Sequence, residues 1–182
     1  MMKMKRVYLF SFLLLALAAS CSAGDINEGP KADADPVSYV DGLMQSFRAG
    51  TLSVLLTCPD VRWEHIPRLL EYGKSTEIIG NVPIPANPIS SYKMLECSEG
   101  MFALWMVEAA RLQTLNHKVT WPSQNPFVQS LNGSNNAPTW YINDPTVQQE
   151  VLAAYVSWWN DANGKKSAAS KDPLEKTVYM WH

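Results

Sequence analysis

The segment "CSEGMFALWMVEAARLQTL", residues 97–115, constrains the fold of this chain more than any other stretch. Apolar residues recur at helical spacing along one side, from Cys97 through Met101 and Leu104 to Leu112. A second apolar side runs next to the first, and a helix that is apolar on most sides is usually buried. The sequence therefore predicts one central helix here, with the other elements packed around it.

Further helices are predicted where the dipeptide Asp-Pro occurs, at Asp35, Asp144 and Asp172. An aspartate caps free N–H groups at a helix start, and proline in the first turn loses no hydrogen bond. Another helix is predicted in "WEHIPRLLEYG", with Gly73 as its stop. Pro67 should lie in the first turn of that helix, because a deeper proline would break its hydrogen bonds.

The connections between these helices are long and rich in proline. Residues 78–88, "IIGNVPIPANP", hold three prolines that exclude a helix or a central strand. A short helix is expected from Pro126, with Asn125 as its cap. We therefore predict an all-α fold, in which residues 36–182 form a single compact domain of about five helices, an irregular helical bundle with long Pro-rich connections.

The first 20 residues are typical of a secretory signal peptide. Lys3, Lys5 and Arg6 precede an apolar run, residues 7–19, that is too short to span a membrane. Small residues then lead to Cys21, an arrangement that resembles the lipobox of bacterial lipoproteins. Cys21 would carry lipid and become the first residue of the mature chain. The alternative is an ordinary secretory signal in which this cysteine is incidental.

Residues 21–35 are predicted to be a flexible tether between the lipid and the domain. The stretch "DINEGPKADAD" is polar and charged, and such a segment buries too little apolar surface to fold. Removal of the three signal-peptide cations leaves 12 of the 15 Lys and Arg against 17 Asp and Glu, a net charge of −5. This excess of acidic residues argues against nucleic acid as a partner.

Two cysteines, Cys58 and Cys97, remain in the mature chain. An exported protein meets an oxidising compartment, where a disulfide between them would stabilise the fold by about 3–4 kcal/mol. The alternative is two separate buried thiols that pack as small apolar groups. The sequence has no metal-ligand spacing and no phosphate-binding glycine loop, so we expect neither a metal nor a cofactor.

Five stretches carry a family resemblance: "HIPRLLEYG", "NPISS", the pattern from "CSEGMFALWM" to "VEAAR", "WPSQNP" and "DPLEKTVYMWH". Through them the chain resembles an uncharacterised family of small Bacteroidetes lipoproteins, a domain of unknown function. The resemblance implies a signal peptide, a lipid anchor and a mainly helical domain. It implies no catalytic residue, because the family has no known activity.

Two side chains are weak candidates for acid–base chemistry. Glu108 lies on the helix face predicted to be buried, and a carboxylate in such surroundings suits a general acid or base. The simpler interpretation is a structural ion pair with Arg111, which lies one turn further along the helix. His117 follows the same helix, where an imidazole near the helix end is commonly structural.

Trp121, Asn125 and Trp140 are predicted to bind a ligand. They lie in "TWPSQNP" and "NNAPTWYIND", where indole rings stand close to amide side chains. An exposed indole can stack on a sugar ring while a neighbouring amide bonds its hydroxyl groups. The alternative is that these aromatic residues close the core beneath long loops.

These features together predict a lipid-anchored protein of the bacterial cell envelope, periplasmic or at the outer-membrane surface, that acts as a binding or interaction module. Its partners would be the membrane, through the lipid on Cys21, and another envelope protein or a glycan. The alternative is an envelope hydrolase that acts on a glycan or a peptide, with Glu108 as its acid or base.

Overall fold

The computed structural model describes residues 34–52, 58–80, 82, 94–116, 118, 121–131 and 137–182. The predicted signal peptide and Cys21 lie outside these residues. Four α-helices are present in the described part: α1 (Pro36–Arg48), α2 (Ile66–Tyr72), α3 (Glu99–Asn116) and α4 (Pro145–Ala162). A first 3-10 helix (Trp63–His65) precedes α2, and a second (Lys166–Ser170) follows α4. None of the described helices combines the length and apolar character that a membrane crossing requires.

Helix α3 forms the centre of the fold, as the sequence predicts. Every residue from Glu99 to Arg111 is buried, and the other three α-helices and both 3-10 helices pack against α3. Phe102, Leu104 and Met106 are fully buried. Each such side chain contributes about 1.5–3 kcal/mol to stability, so this one helix supplies a large share of the core.

Two of the three Asp-Pro dipeptides start helices as predicted. The Asp35 carboxylate accepts hydrogen bonds from two N–H groups in the first turn of α1, at 3.1 Å each, and Asp144 does the same for α4. At Asp172 the chain instead makes a turn, in which the carboxylate accepts the N–H of Leu174 at 2.8 Å. An Asp-Pro cap is therefore enough to start a turn. A helix continues from that turn only where the following residues provide an apolar face that packs on the core.

The prediction of an all-α fold is wrong, because the structure also contains two small antiparallel sheets. One pairs β1 (Ile78–Gly80) with β2 (Glu96–Ser98). The other has the order β4-β3-β5, formed by β3 (Val128–Ser130), β4 (Thr139–Tyr141) and β5 (Tyr179–Trp181). The fold is thus mixed α and β. Each strand has three residues, which is too short to show the alternation that identifies strands in a sequence.

The helix predicted from Pro126 is absent, and strand β3 begins two residues after this proline, at Val128. Its register pairs Val128 with Tyr141 of β4 and with Trp181 of β5. These partners come from segments far along the chain, so tertiary pairing overrides the local helix signal. The C-terminal segment "TVYMWH" packs back onto the domain, as expected of so apolar a tail, and does so as strand β5.

A buried polar junction joins the start of α3 to α2 and α4. The Gln148 amide donates to the carbonyls of Gly73 and Ser75 at 3.0 and 2.9 Å and accepts the Ser98 hydroxyl at 2.5 Å. Gly100 lies against this junction, where an added Cβ would come within 2.6 Å of two backbone oxygens. The missing side chain at Gly100 thus lets α3 approach its neighbours closely enough to close the junction.

Candidate functional site

Glu108 lies in a buried network, and both of its carboxylate oxygens accept hydrogen bonds. Arg111 donates from Nε to Oε2 at 2.9 Å and from Nη2 to Oε1 at 2.6 Å. The Tyr155 hydroxyl on α4 donates to Oε2 at 2.8 Å. Glu108 is 6% exposed and Arg111 is 7% exposed. This geometry is that of a structural ion pair between Glu108 and Arg111, the simpler of the two interpretations of Glu108 from the sequence.

The network continues from Glu108 to the C-terminal strand. Trp181 of β5 donates its indole N–H to the Tyr155 hydroxyl at 2.8 Å, and Arg111 donates to the carbonyl of Ala169 at 2.7 Å. Complete burial, followed by the charge of Glu108, raises the pKa of Tyr155 well above its usual value. We call Glu108, Arg111, Tyr155 and Trp181 the Glu108 network; it joins α3, α4 and β5 through hydrogen bonds.

Other predicted positions contribute no reactive group to the described structure. His117, like Cys21, lies outside the described residues. Cys58 and Cys97 are free, buried thiols, which agrees with the alternative of two separate thiols and not with a disulfide. Burial raises the pKa of the Cys58 thiol to about 12 and also raises that of Cys97, so both stay protonated at neutral pH and are poor nucleophiles.

Trp121 and Asn125 pack into the fold. The Trp121 ring stacks on that of Trp105 with 4.8 Å between centroids. Asn125 is 1% exposed, its Oδ1 accepts the N–H of Met94 at 3.1 Å, and its Nδ2 lies 3.4 Å from Nδ1 of His182. Both residues therefore help to close the core and hold the C-terminal residue in place.

Trp140 differs from these two, since 42% of its surface is exposed. Its ring centroid lies 5.8 Å from that of Phe127 and 4.9 Å from that of His182, and those two rings stack at 4.7 Å. Phe127 is buried, and burial lowers the pKa of His182, so this imidazole is neutral at neutral pH. The exposed indole thus rests on an uncharged aromatic layer.

Trp140 belongs to a row of three side chains on the outer face of the three-stranded sheet, of which the central one, Gln129, is half-buried. The register pairs Gln129 of β3 with Trp140 of β4 on one side and with Met180 of β5 on the other. Directly paired residues share one face of a sheet, and Met180 is as exposed as Trp140. The residues on either side of Gln129, Val128 and Ser130, are buried. One face of this sheet therefore covers the core, and the other faces solvent.

Three more apolar side chains flank this row, each two residues from one of its members and 36–50% exposed. We call the six residues together the aromatic sheet face: Gln129, Leu131, Trp140, Ile142, Val178 and Met180. Five of the nine large apolar side chains exposed in the described part of the chain belong to it. Exposed apolar residues gathered in this way mark interaction sites, whereas scattered ones need no explanation.

Of the residues on this face, only Trp140 is recognisable as a candidate from the amino-acid sequence. The other members lie in "VQSL", "TWYI" and "VYMW", of which the last two are rich in β-branched and aromatic residues. That composition favours strands in those two stretches, whereas "VQSL" carries no comparable signal. Which of their residues share a face follows only from the register, and these sequences do not encode the register locally.

Three cavities stand out in the described part of the chain, and Glu108 lines none of these three. The largest, of about 680 Å³, lies between the two 3-10 helices and the C-terminal half of α3. We call it the Trp63 cleft after the one aromatic residue among those that line it: Arg62, Trp63, Glu64, Gln113, Thr114, Lys166 and Ser167. Among the described residues no group of three or more His, Cys, Asp or Glu side chains is placed to hold a metal ion.

The fold and these surfaces define a mixed α and β domain with an exposed apolar sheet face and a polar cleft. A family model of DUF4943, a domain of unknown function, matches residues 31–182. The chain therefore belongs to this family. Membership in a family of unknown function is thus confirmed, and an origin among Bacteroidetes lipoproteins stays a prediction. Comparisons with the curated proteins and with the solved structures find no match.

Proposed function

We propose that this protein is a binding module of the bacterial cell envelope, anchored by a lipid on Cys21, whose aromatic sheet face contacts another envelope protein. The observation that carries the proposal is the row of Trp140, Gln129 and Met180 across one sheet, in which the two outer side chains are exposed and Gln129 is half-buried. Tryptophan and methionine are enriched at protein interfaces relative to the rest of the surface.

The chemistry of the face favours a protein over a glycan. Five of its six side chains are apolar, none is charged, and the Gln129 amide is the single hydrogen-bonding group apart from the Trp140 indole. A sugar ring needs several hydrogen-bond partners around its stacking platform, because its hydroxyl groups otherwise lose water without compensation. An apolar side chain from a protein partner has no such requirement.

The lipid anchor gives such a module its location. Cys21 follows a signal-peptide pattern, and residues 21–35 have the composition of a flexible tether. Each CH₂ of an acyl chain that enters the bilayer contributes about 0.8 kcal/mol. The domain therefore does not need to bind the membrane, and its apolar sheet face is available to a partner.

The hydrolase alternative has no such support. The Glu108 carboxylate is buried and accepts three hydrogen bonds from Arg111 and Tyr155. A general acid or base must reach the proton that it transfers, within about 2.6–3.2 Å or through one water molecule. Glu108 lines none of the three cavities described above.

Photo-crosslinking in living cells tests the sheet face. A photoreactive benzoylphenylalanine replaces Met180 in one strain and, as a matched control, Gln45, which is exposed on α1. We expect a discrete protein adduct through position 180 and none through position 45. Trp140→Ala and, separately, Leu131→Asn should abolish the adduct; the second variant is needed because Trp140 also packs on Phe127.

Two results would contradict the proposal. The same adducts from positions 45 and 180, or no adduct at all, would show that the sheet face is not an interface. An adduct with lipid or glycan in place of protein would assign the face to a different partner. The anchor has its own readout, since Cys21→Ser should abolish acyl labelling and move the protein from the membrane fraction to the soluble one.

A further inference from the structure

Strand β1 presents an open backbone edge in the smaller, two-stranded sheet. The Glu99 N–H donates to the carbonyl of Glu77, the residue just before β1, at 2.8 Å. Residues of an antiparallel pair exchange hydrogen bonds at every second position, so Ile79 is the next residue to bond β2. Ile78 and Gly80 therefore point their N–H and C=O groups away from β2.

The opposite edge of the same sheet is covered. The Ser98 N–H of β2 donates to Asn143 Oδ1 at 3.1 Å, and Asn143 Nδ2 donates to the carbonyl of Glu96 at 3.5 Å. This side chain takes the place of a neighbouring strand, and covering an edge is one way in which proteins prevent unwanted pairing. The described residues use none of the four outward groups of Ile78 and Gly80 in a hydrogen bond, so β1 lacks that cover.

The side chains of β1 alternate between the core and solvent. Ile79 is 8% exposed, whereas Ile78 is 45% exposed and Gly80 is also exposed. A Cβ added to Gly80 would meet no heavy atom within 4 Å, so the space above this residue is open. The outer face of β1 thus carries an apolar side chain and, two residues further on, a gap.

A second copy of β1, placed antiparallel to the first, fits both the hydrogen bonds and the side chains. With Ile79 opposite Ile79 of the second copy, Ile78 faces Gly80 of the second copy, and the reverse pair forms by symmetry. Each pair exchanges two N–H···O=C bonds, so all four outward groups of each copy are used. Opposite residues share a face of the sheet, so each exposed isoleucine covers the gap at the other copy's glycine.

The charges around this edge permit such a pair. Glu77 precedes β1, and Glu96 lies opposite Gly80 on β2; both glutamates are exposed. The two copies of Glu77 would lie about 14 Å apart, four residues along the strand direction, and three strand spacings place the two copies of Glu96 about 15 Å apart. Both separations exceed the Debye length of about 8 Å at physiological ionic strength, so repulsion between them is screened.

The proposed lipid anchor gives a reason for the occupant of this edge to be a second copy. Copies held at one membrane surface have a high effective concentration for one another. Residues 21–35 span up to about 50 Å when extended, so two anchored domains can turn their β1 edges toward each other. This step rests on the proposed function, whereas the hydrogen-bond geometry of β1 does not.

We infer that the protein forms a two-fold symmetric dimer through β1, in which the order β2-β1-β1-β2 makes one continuous four-stranded sheet. The contact is small, so we expect the dimer to be weak away from a membrane. It uses a different sheet from the aromatic sheet face, so either proposal can fail while the other holds.

Sedimentation equilibrium and amide hydrogen exchange of the full-length, lipid-modified protein in a density-matched detergent test this inference. We expect a monomer–dimer equilibrium with a dissociation constant below about 1 mM. As the dimer forms, the Ile78 and Gly80 amides should become protected from exchange, whereas the Ile79 amide, which already bonds β2, is protected at every concentration. This alternation locates the contact, because a dimer through the aromatic sheet face would leave Ile78 and Gly80 unprotected.

Variants of β1 test the hydrogen bonds and the side-chain contact separately. Gly80→Pro removes one outward N–H from each copy, so dimer affinity should fall about 25-fold, a factor of about five for each lost bond. Gly80→Ala keeps the N–H and should weaken the dimer less. Ile78→Thr keeps a residue that suits a strand but loses the apolar contact, so it should also weaken the dimer. Val37→Thr, at an exposed position on α1, is its matched control and should leave affinity unchanged.

Four results would overturn the inference. They are a monomer at every concentration, a dimer whose Ile78 and Gly80 amides stay unprotected, equal effects of Gly80→Pro and Gly80→Ala, and equal affinities of Ile78→Thr and Val37→Thr. The last comparison decides the matter where Gly80→Pro does not fold. None of these results changes the expected adduct through position 180, so the dimer and the proposed function are tested separately.

Discussion

The Glu108 network and the aromatic sheet face share strand β5 and present opposite chemistry. Trp181 turns inward and donates to Tyr155, which in turn donates to Glu108. Met180, the preceding residue, is exposed on the outer face. Glu108, a candidate acid or base in the sequence, is thus buried and fully hydrogen-bonded, while side chains with no reactive group face solvent.

This difference shows that residue type alone does not locate a functional site. A buried carboxylate is retained in a fold only when its hydrogen-bonding capacity is met, and in Glu108 the partners use both oxygens. An exposed apolar side chain, by contrast, contributes little to the fold that holds it. When several such side chains gather on one sheet, as around Trp140, contact with a partner molecule explains their position better than a contribution to stability does.

The largest expected effect concerns the charge in the Glu108 network. Glu108→Gln leaves the buried Arg111 without its counter-ion, so we expect the free energy of unfolding in urea to fall by about 3–5 kcal/mol. Glu64→Gln is the matched control, because Glu64 is exposed and forms no ion pair with the described residues; it should change stability by less than about 0.5 kcal/mol. Similar values for both variants would show that the network is not buried as described.

An intermediate effect is expected from Tyr155, and it should depend on pH. Tyr155→Phe removes a hydrogen bond to a charged group and should lower the free energy of unfolding by about 1.5–3 kcal/mol at pH 8. The raised pKa keeps this phenol neutral in the folded state, while in the unfolded state it ionises near pH 10.

The wild-type protein therefore loses stability as the pH rises above about 10, by about 1.4 kcal/mol per pH unit from this group. The Tyr155→Phe variant lacks that loss, so the difference between the two should shrink in alkaline urea titrations. A difference that stays constant from pH 8 to pH 11 would contradict the burial of this hydroxyl.

The smallest effect on stability is expected from the sheet face. Met180→Thr keeps a residue that suits a strand and should change the free energy of unfolding by no more than about 0.5 kcal/mol. Trp181→Ala, at the next position, should cost about 3 kcal/mol or more, because it removes an inward aromatic side chain. A large effect at Met180 would mean that this face belongs to the core, and that the two sides of β5 do not differ in their contribution to stability.

The helices could be predicted from the sequence because their signals are local. The residues that mark the helix ends are next to the helices themselves: Asp35 and Asp144 cap the starts of α1 and α4, and Gly73 ends α2. The apolar pattern that runs from Cys97 to Leu112 is long enough to identify α3 and its burial. The strands could not be predicted, since each has three residues and finds its partners across long stretches of chain.

The candidate site was predictable only in part, for the same reason. Trp140 stands out as an aromatic residue in a loop-like stretch, and it proves to be exposed. Asn125 also lies in a stretch that resembles a loop in the sequence, yet its side chain is buried and accepts a hydrogen bond from the N–H of Met94. Met180 carries no signal of its own, because its place next to Gln129 depends on the register between β3 and β5.

The hydrogen bond from the Trp63 indole to the Gly164 carbonyl joins residues 101 positions apart, and Arg111 reaches Ala169 over 58 positions. Contacts of this separation form late, because the chain must first close a long loop. We therefore expect the helices to form transiently within microseconds and the complete domain to assemble far more slowly. In the proposed role, in which the chain crosses a membrane before it folds, slow assembly would keep it unfolded until it reaches the far side.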